Sequence, residues 1–169
     1  MIHLYIGDGK GKTTAAIGSA IRAKGADKRV CFVQFLKGGY ASSEIKPLKK
    51  AGVTVIRFSQ KSPYFYKNVS IDKLKKNIQK DLERVKKLLK SKKYNVVILD
   101  EFLSVLRGKF ARESDLLEVI QCNYKKYELI LTGASSSTRI LGTADYISRI
   151  KNIKHPYQSG VKARRGIEK

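Results

Sequence analysis

The run Gly7-Asp8-Gly9-Lys10-Gly11-Lys12-Thr13-Thr14 joins an apolar stretch, Ile2 to Ile6, to a stretch of small and apolar residues that suits a helix. A glycine-rich turn between a strand and a helix aims backbone N–H groups at one point. The helix N-terminus adds the positive end of its dipole, and the two together hold phosphate. Gly7, Gly9 and Gly11 allow backbone conformations and a close approach that a Cβ would block. Lys12 supplies a point charge for outer phosphates, and the Thr13 hydroxyl suits a magnesium ion. The chemistry this predicts is the binding of a nucleoside triphosphate. The common pattern, G-x-x-x-x-G-K-[ST], begins with glycine where this chain has Ile6. The strand–loop–helix context and the intact Gly11-Lys12-Thr13 outweigh that departure.

Such a site needs an acidic residue at the end of a buried strand. Val96-Val97-Ile98-Leu99 is the strongest buried-strand run in the chain, and it ends in Asp100-Glu101. A carboxylate there can hold magnesium directly or through water. These two motifs fit kinases, DNA motors and transporter ATPases alike. The two histidines, His3 and His155, form no Ser–His arrangement with them.

The elements that must position these groups follow from periodicity. Short apolar runs predict strands over 2–6, 29–35, 53–58, 96–99, 129–131 and 146–150. Between them, Lys12 to Lys24 reads as a helix stopped by Gly25, and a second helix spans about Ser43 to Ala51. Ser70 caps a long helix, Ile71 to Ser91, in which Leu74, Ile78, Leu82, Val85 and Leu89 recur at helical spacing. Ser114 is read as the cap of a helix to about Asn123. Ser135-Ser136-Ser137 opens a short helix to Ala144, and 59–69 is a loop containing Tyr64-Phe65-Tyr66. Strands alternating with helices mean crossovers and a mainly parallel sheet. The expected organisation is one domain over 1–169, with 152–169 either an ordered basic flap over the site or a frayed tail.

Composition narrows the class. The chain has 169 residues and 36 Lys+Arg against 14 Asp+Glu, a formal charge of +22. Such a field attracts polyanions and acidic proteins. Its lysines are thickest between Lys46 and Lys93 at helical intervals, and lysine outnumbers arginine, whereas base-edge reading favours arginine. A solvated surface with an acidic partner is therefore favoured over nucleic acid. Cys31 and Cys122 lack metal-ligand spacing and a paired framework, which points to reduced thiols. With no apolar run near membrane length and no leader before the first strand, a cytoplasmic location is expected.

The runs GDGKGKTTAAIGSAIRAKG, VQFLKGG, VVILDE, LTG and KHPYQSGVKARRGIE occur in the order found in P-loop corrinoid adenosyltransferases. The sequence resembles that family over nearly its whole length. The loop lacking its first glycine and the terminal GVKARRGIE carry the likeness most specifically. The resemblance implies an α/β RecA-like P-loop fold, a mainly parallel sheet of about six strands with helices on both faces, and a homodimer. It also implies ATP and cob(I)alamin or cob(I)yrinic acid a,c-diamide as substrates, with magnesium, or manganese in its place. The 5′-deoxyadenosyl group passes to reduced cobalt and tripolyphosphate is released.

By the same resemblance, Gly7, Asp8, Gly9, Lys10, Gly11, Lys12, Thr13 and Thr14 hold the triphosphate. Thr13, Asp100 and Glu101 are the candidates for the metal, and Lys10, Lys12 and Glu101 for catalysis. Gln34, Lys37 and Glu44 lie near the nucleotide or corrinoid. Tyr64, Phe65 and Tyr66 gate the corrinoid, or else merely cover the sheet edge. The chain departs from the family after Thr132-Gly133, where an arginine and glycine often follow and Ala134-Ser135-Ser136-Ser137 stands instead; Arg139 is the candidate substitute. An acidic flavodoxin-like reductant is the implied partner for the basic surface. Two other classes remain open: a P-loop ATPase that binds nucleic acid, and a corrinoid- or nucleotide-binding regulator without turnover.

Overall fold

A computed structural model describes residues 1–39, 42–122 and 127–167. Six strands, β1 (Ile2–Ile6), β2 (Val30–Gln34), β3 (Thr54–Arg57), β4 (Val96–Asp100), β5 (Glu128–Gly133) and β6 (Tyr146–Arg149), form one sheet in the order β3-β2-β4-β5-β1-β6. Each pairing between these six strands is parallel. The helices are α1 (Lys12–Gly25), α2 (Ile45–Lys50), α3 (Ile71–Lys90), α4 (Phe102–Arg107), α5 (Glu113–Cys122) and α6 (Thr138–Leu141). A 3-10 turn spans Pro156–Ser159.

The central strands β2 and β4 are buried along their full length, which is why they read as continuous apolar runs without alternation. Side chains alternate between two cores. Val97 and Leu99 face Leu82, Val85, Leu116 and Val119 of α3 and α5, while Ile98 and Phe32 face Ala16 and Ala20 of α1. Alanine on the inner face of α1 lets that helix lie close to the sheet, so the loop before it sits directly over the strand ends. In α3 the apolar stripe is buried and Lys73, Lys75, Lys76, Lys80, Lys87 and Lys90 are exposed, the solvated face that their spacing implied. Ser70 caps it, its hydroxyl accepting from the Lys73 N–H at 3.4 Å.

One element goes beyond the sequence reading and two local expectations are corrected. Residues 102–107 carry no periodic signal, being too short to show one, yet they form α4, whose Phe102, Leu103 and Val105 are fully buried. Helix α5 begins at Glu113, so Ser114 lies inside its first turn rather than at the cap. The buried Asp115 carboxylate instead reaches back to the Arg112 N–H at 2.8 Å, a carboxylate bond that displaces the hydroxyl cap. The expected end of that helix at Asn123 lies outside the described residues. The serine-opened helix runs only from Thr138 to Leu141: Ser137 is its cap, accepting from Ile140 N–H at 3.4 Å, and Gly142 follows its end. Cys31 is buried, and burial pushes its thiol up to about 12, which makes it unreactive. Among the described residues no helix is long and apolar enough to cross a membrane.

Parallel pairing brings the carboxyl ends of the strands to one edge. Gln34 lies beside Asp100, and Ile6 lies between Gly133 and Arg149. Ligands of open parallel sheets bind beyond that edge.

Candidate functional site

The loop after β1 is held down from behind. The Gly7 N–H donates to the Ala134 carbonyl and the Gly9 N–H to the Ile150 carbonyl, each at 3.0 Å. A Cβ on Gly7 would collide with the Ile150 carbonyl oxygen, and one on Gly9 would come within 2.7 Å of the Lys151 carbonyl. These glycines thus serve contact with the end of β6. Their amides are spent there, which leaves the first turn of α1, with no partner for its N–H groups inside the helix, to meet an anion. Gly11, with φ +123°, makes the turn into that helix.

Lys12 folds back over the loop, its Nζ donating to the Gly9 carbonyl at 2.7 Å. Burial lowers its pKa from the usual lysine value of 10.5, a shift opposed by Glu101, Asp8 and Asp100 and assisted by Lys37. In the free protein Lys12 therefore loses its proton before an ordinary lysine does. A bound triphosphate would restore it. The alkaline limb of kcat/KM for ATP should then fall below pH 10.5, while kcat, which reports the complex, holds to higher pH. A pH series of initial rates checks this, and coincident limbs would contradict it.

Asp100 is fully buried and organises the floor. Its Oδ1 accepts from the hydroxyls of Thr13 and Thr132, each at 2.8 Å. Its Oδ2 accepts from Gln34 Nε2 at 3.2 Å and pairs with Lys37 Nζ at 3.3 Å. Gln34 Nε2 also donates to Glu44 at 2.9 Å. Lys37 Nζ reaches the Thr13 hydroxyl at 3.4 Å and lies 3.8 Å from Glu44. Gln34, fully buried, thus braces Asp100 and Glu44 from beneath instead of standing in the cleft. Oxygens of Thr13, Asp100 and Glu44 converge on one ammonium. Hard oxygen donors gathered around a cation are the donor set a magnesium ion takes, so these residues fit one. Glu101 follows in a left-handed conformation (φ +62°) that lifts it out of the strand line. Its N–H donates to Thr132 at 2.9 Å, and its carboxylate accepts from Ser104 at 2.6 Å. Leu36, beside Lys37, is also left-handed (φ +54°). Such backbone costs on the order of 1–3 kcal/mol and concentrates where side chains must be aimed.

These groups surround a cleft of about 570 Å³, walled by residues 9–14, Lys37, Glu44, Phe65 and Glu101. Of the candidates, Gly9, Lys10, Gly11, Lys12, Thr13, Thr14, Lys37, Glu44, Phe65 and Glu101 line this cleft. Gly7 and Asp8 do not line it, and Asp8 accepts instead from the Asn152 N–H at 3.3 Å. A second pocket of about 220 Å³ opens beside it between Tyr64, Ser62, Ser104 and Arg107, sharing Lys37, Phe65 and Glu101 with the first. Phe65 is 75% exposed on the shared wall. Tyr64 lines only the second pocket, and Tyr66 lines neither. The Tyr66 ring packs over Gly39 under the Lys61 ammonium, 5.4 Å from the ring centre. The proposed aromatic trio is thus divided, two toward the site and one bracing the loop.

Several lining residues carried no signal in the sequence. Ser42 is 8% exposed, with a buried hydroxyl lacking a partner among the described residues, and it lines the first cleft with Ser43. Gly166 and Ile167 did carry a signal, standing in the terminal run GVKARRGIE and in the segment expected as a flap or a frayed tail, and they line the same cleft. Thr132 was legible in principle, because the strand between the loop and the acid must end beside both. Arg139 is exposed and lines none of these clefts. His3 pairs with Glu128 at 2.7 Å and stacks on Tyr146, and His155 caps the 3-10 turn, so both histidines are structural.

Comparison with known proteins bears on the family and on the fold. The family model for ATP:corrinoid adenosyltransferase BtuR/CobO/CobP matches residues 1–168. A corrinoid adenosyltransferase of Escherichia coli (strain K12) is 30% identical over 168 residues, covering 99% of this chain and 85% of that protein. The corrinoid adenosyltransferase CobA of Salmonella typhimurium has the same identity and coverage. Among solved structures, the RadB recombinase aligns with TM-score 0.53 at 15% identity over 92% of this chain and 76% of that one. The flagellar accessory protein FlaH from Methanocaldococcus jannaschii aligns with TM-score 0.55 at 13% identity over 88% and 69%. The last two bear on the fold alone, a RecA-like α/β fold with a parallel sheet. The chain belongs to the ATP:corrinoid adenosyltransferase family.

Proposed function

We propose that this protein transfers the 5′-deoxyadenosyl group of ATP to the cobalt(I) of a corrinoid and releases tripolyphosphate. The observation that carries the reading is the pair of abutting pockets. A cation-rich cleft at the glycine loop opens, across Phe65 and Glu101, into an aromatic-walled one. Two substrates can then lie side by side with the reacting carbon between them.

Cobalt(I) is itself a strong nucleophile, so no side-chain base is required. Its electron pair forms the cobalt–carbon bond at C5′ as the C5′–O bond breaks, and the leaving pair departs with the triphosphate. The protein's task is to align C5′ and to stabilise charge gathering on the phosphates. Lys10, Lys12 and the first-turn amides of α1 serve the second task. Magnesium, held by Thr13 with Asp100 and Glu44, the oxygens that converge on the Lys37 ammonium, or with Glu101 should its carboxylate leave Ser104, would neutralise phosphate charge when bound. Phe65 and Tyr64 exclude water from the cobalt face. Phe65→Ala should lower kcat/KM for the corrinoid by about tenfold to a hundredfold, the loss of roughly 1.5–3 kcal/mol of aromatic contact. Affinity for ATP should stay within about twofold, since area at the phosphates is unchanged. Steady-state rates paired with nucleotide titration test this, and equal loss toward both substrates would contradict it.

The charge of +22 supports an acidic reductant as the source of cobalt(I). Turnover coupled to such a donor should fall as ionic strength rises, while turnover with a chemical reductant should not. Indifference of the coupled rate to salt would rule the partner out. A homodimer in the cytoplasm completes the reading. The direct test mixes ATP, magnesium and chemically reduced corrinoid. A cobalt–carbon product with its visible spectrum, formed together with tripolyphosphate, supports transfer. Orthophosphate release stimulated by DNA or RNA, with no corrinoid product, would favour the nucleic-acid ATPase class.

A further inference from the structure

A third cleft, of about 480 Å³, is lined by the start of the glycine loop, whereas the first is walled by residues 9–14 of the same loop. Its floor is Ile6, Gly7 and Asp8; one wall is the turn after β5, Ala134 to Ser136, and the other is the exit of β6, Arg149 to Asn152. Three observations make it more than a crevice between loops. Arg149 pairs with Ile6 in the parallel register, so the two side chains share a sheet face, and both line the cleft. Arg149 forms no side-chain hydrogen bond or ion pair among the described residues, although it stands at the end of a strand beside the phosphate loop. On the facing wall, the Ser136 hydroxyl is buried without a partner. A buried hydroxyl left unpaired costs on the order of 1–3 kcal/mol, which a ligand would recover. Lys151 adds a second cation to the same side.

An unpaired guanidinium, an ammonium and an orphaned hydroxyl facing one space select an anion rich in acceptor oxygens. Gly7 and Asp8 line this space, and the next residues of the same loop, 9–14, wall the cleft read above as the nucleotide site. We propose that this cleft is an oligophosphate subsite, which takes the distal end of the triphosphate chain and retains it as tripolyphosphate after transfer, with Arg149 and Ser136 as its specific contacts. The proposal rests on the nucleotide reading above and extends it to residues outside the glycine loop. It also explains how a chain with alanine at position 134 can hold the leaving group: the cation comes from β6, across the cleft, and not from Arg139.

The test is calorimetric binding of inorganic tripolyphosphate and of pyrophosphate to the whole protein, using Arg149→Gln, Ser136→Ala and, as a charge-matched control, Arg139→Gln. Arg149→Gln should weaken tripolyphosphate by about tenfold and pyrophosphate by less than about twofold, because the shorter chain ends before the cleft. Ser136→Ala should weaken tripolyphosphate as well, although removal of an unpaired buried hydroxyl with no ligand role would be neutral or stabilising. Arg139→Gln should change neither. Unchanged tripolyphosphate affinity in Arg149→Gln, or equal weakening of both anions, or an equal effect from Arg139→Gln, would overturn the subsite and leave the nucleotide reading standing. Failure of the unaltered protein to bind magnesium-ATP would remove both.

Discussion

Replacing Lys12 with alanine should slow adenosyl transfer by about a hundredfold to a thousandfold while the protein remains folded. That range is what removal of one preoriented charge-stabilising group costs in a water-poor site. The structure gives the reason for so large an effect at a single side chain. Lys12 is already held against the Gly9 carbonyl before any ligand arrives, so it spends little entropy in reaching a phosphate. Burial has stripped part of its water, the main cause of its lowered pKa, and its charge acts at correspondingly greater strength. The loss should fall on kcat as well as on ATP affinity, because charge on the leaving triphosphate grows toward the transition state. A Lys12→Ala protein that bound ATP tenfold more weakly, with kcat intact, would assign the lysine to ground-state binding only.

Gly7→Ala should destabilise the protein by about 3 kcal/mol or more. Two independent costs coincide there: a backbone φ of +122°, and a Cβ placed against the Ile150 carbonyl. Either the β1–β6 register loosens or the loop leaves its bond to Ala134, and both disturb the floor of the site. Gly18 in α1 supplies the contrast. Its φ is not in the left-handed range and a Cβ there meets nothing within 4 Å, so Gly18→Ala should stabilise by about 0.5–1 kcal/mol through helix propensity alone. Denaturant midpoints of the two variants read both effects. Equal and small shifts would mean that the loop is not strapped to β6 in solution.

Much of this arrangement was legible in the residues. The parallel sheet followed from apolar runs too uniform to be half-exposed strands, and the nucleotide loop from Gly11-Lys12-Thr13 after a strand. The acid at the end of a second buried strand followed from Asp100-Glu101 closing VVIL. What was not legible is long-range. Nothing local to Gln34 says that its amide braces Asp100, a residue 66 positions away, and nothing local to Tyr66 says that it turns away from Phe65. Helix α4 is six residues long, shorter than the two turns a periodic pattern needs to declare itself. Ser114 misled because a hydroxyl at a helix start is a common cap, whereas here the next residue, Asp115, offers a charged acceptor to the same end. The role of Gly7 was half-read: the residue type follows from the turn, but the partner that excludes a Cβ is Ile150, brought in by β6.

The central claim is that the bond broken lies at C5′ and that the glycine loop grips a leaving group. The measurement that tests it most directly uses ATP labelled with oxygen-18 in the C5′–O bridge, turned over with magnesium and reduced corrinoid. Intact tripolyphosphate retaining the label, formed one for one with the cobalt–carbon product, is the predicted result. Orthophosphate carrying oxygen from solvent, with the label left on the nucleoside, would show attack at phosphorus and contradict it.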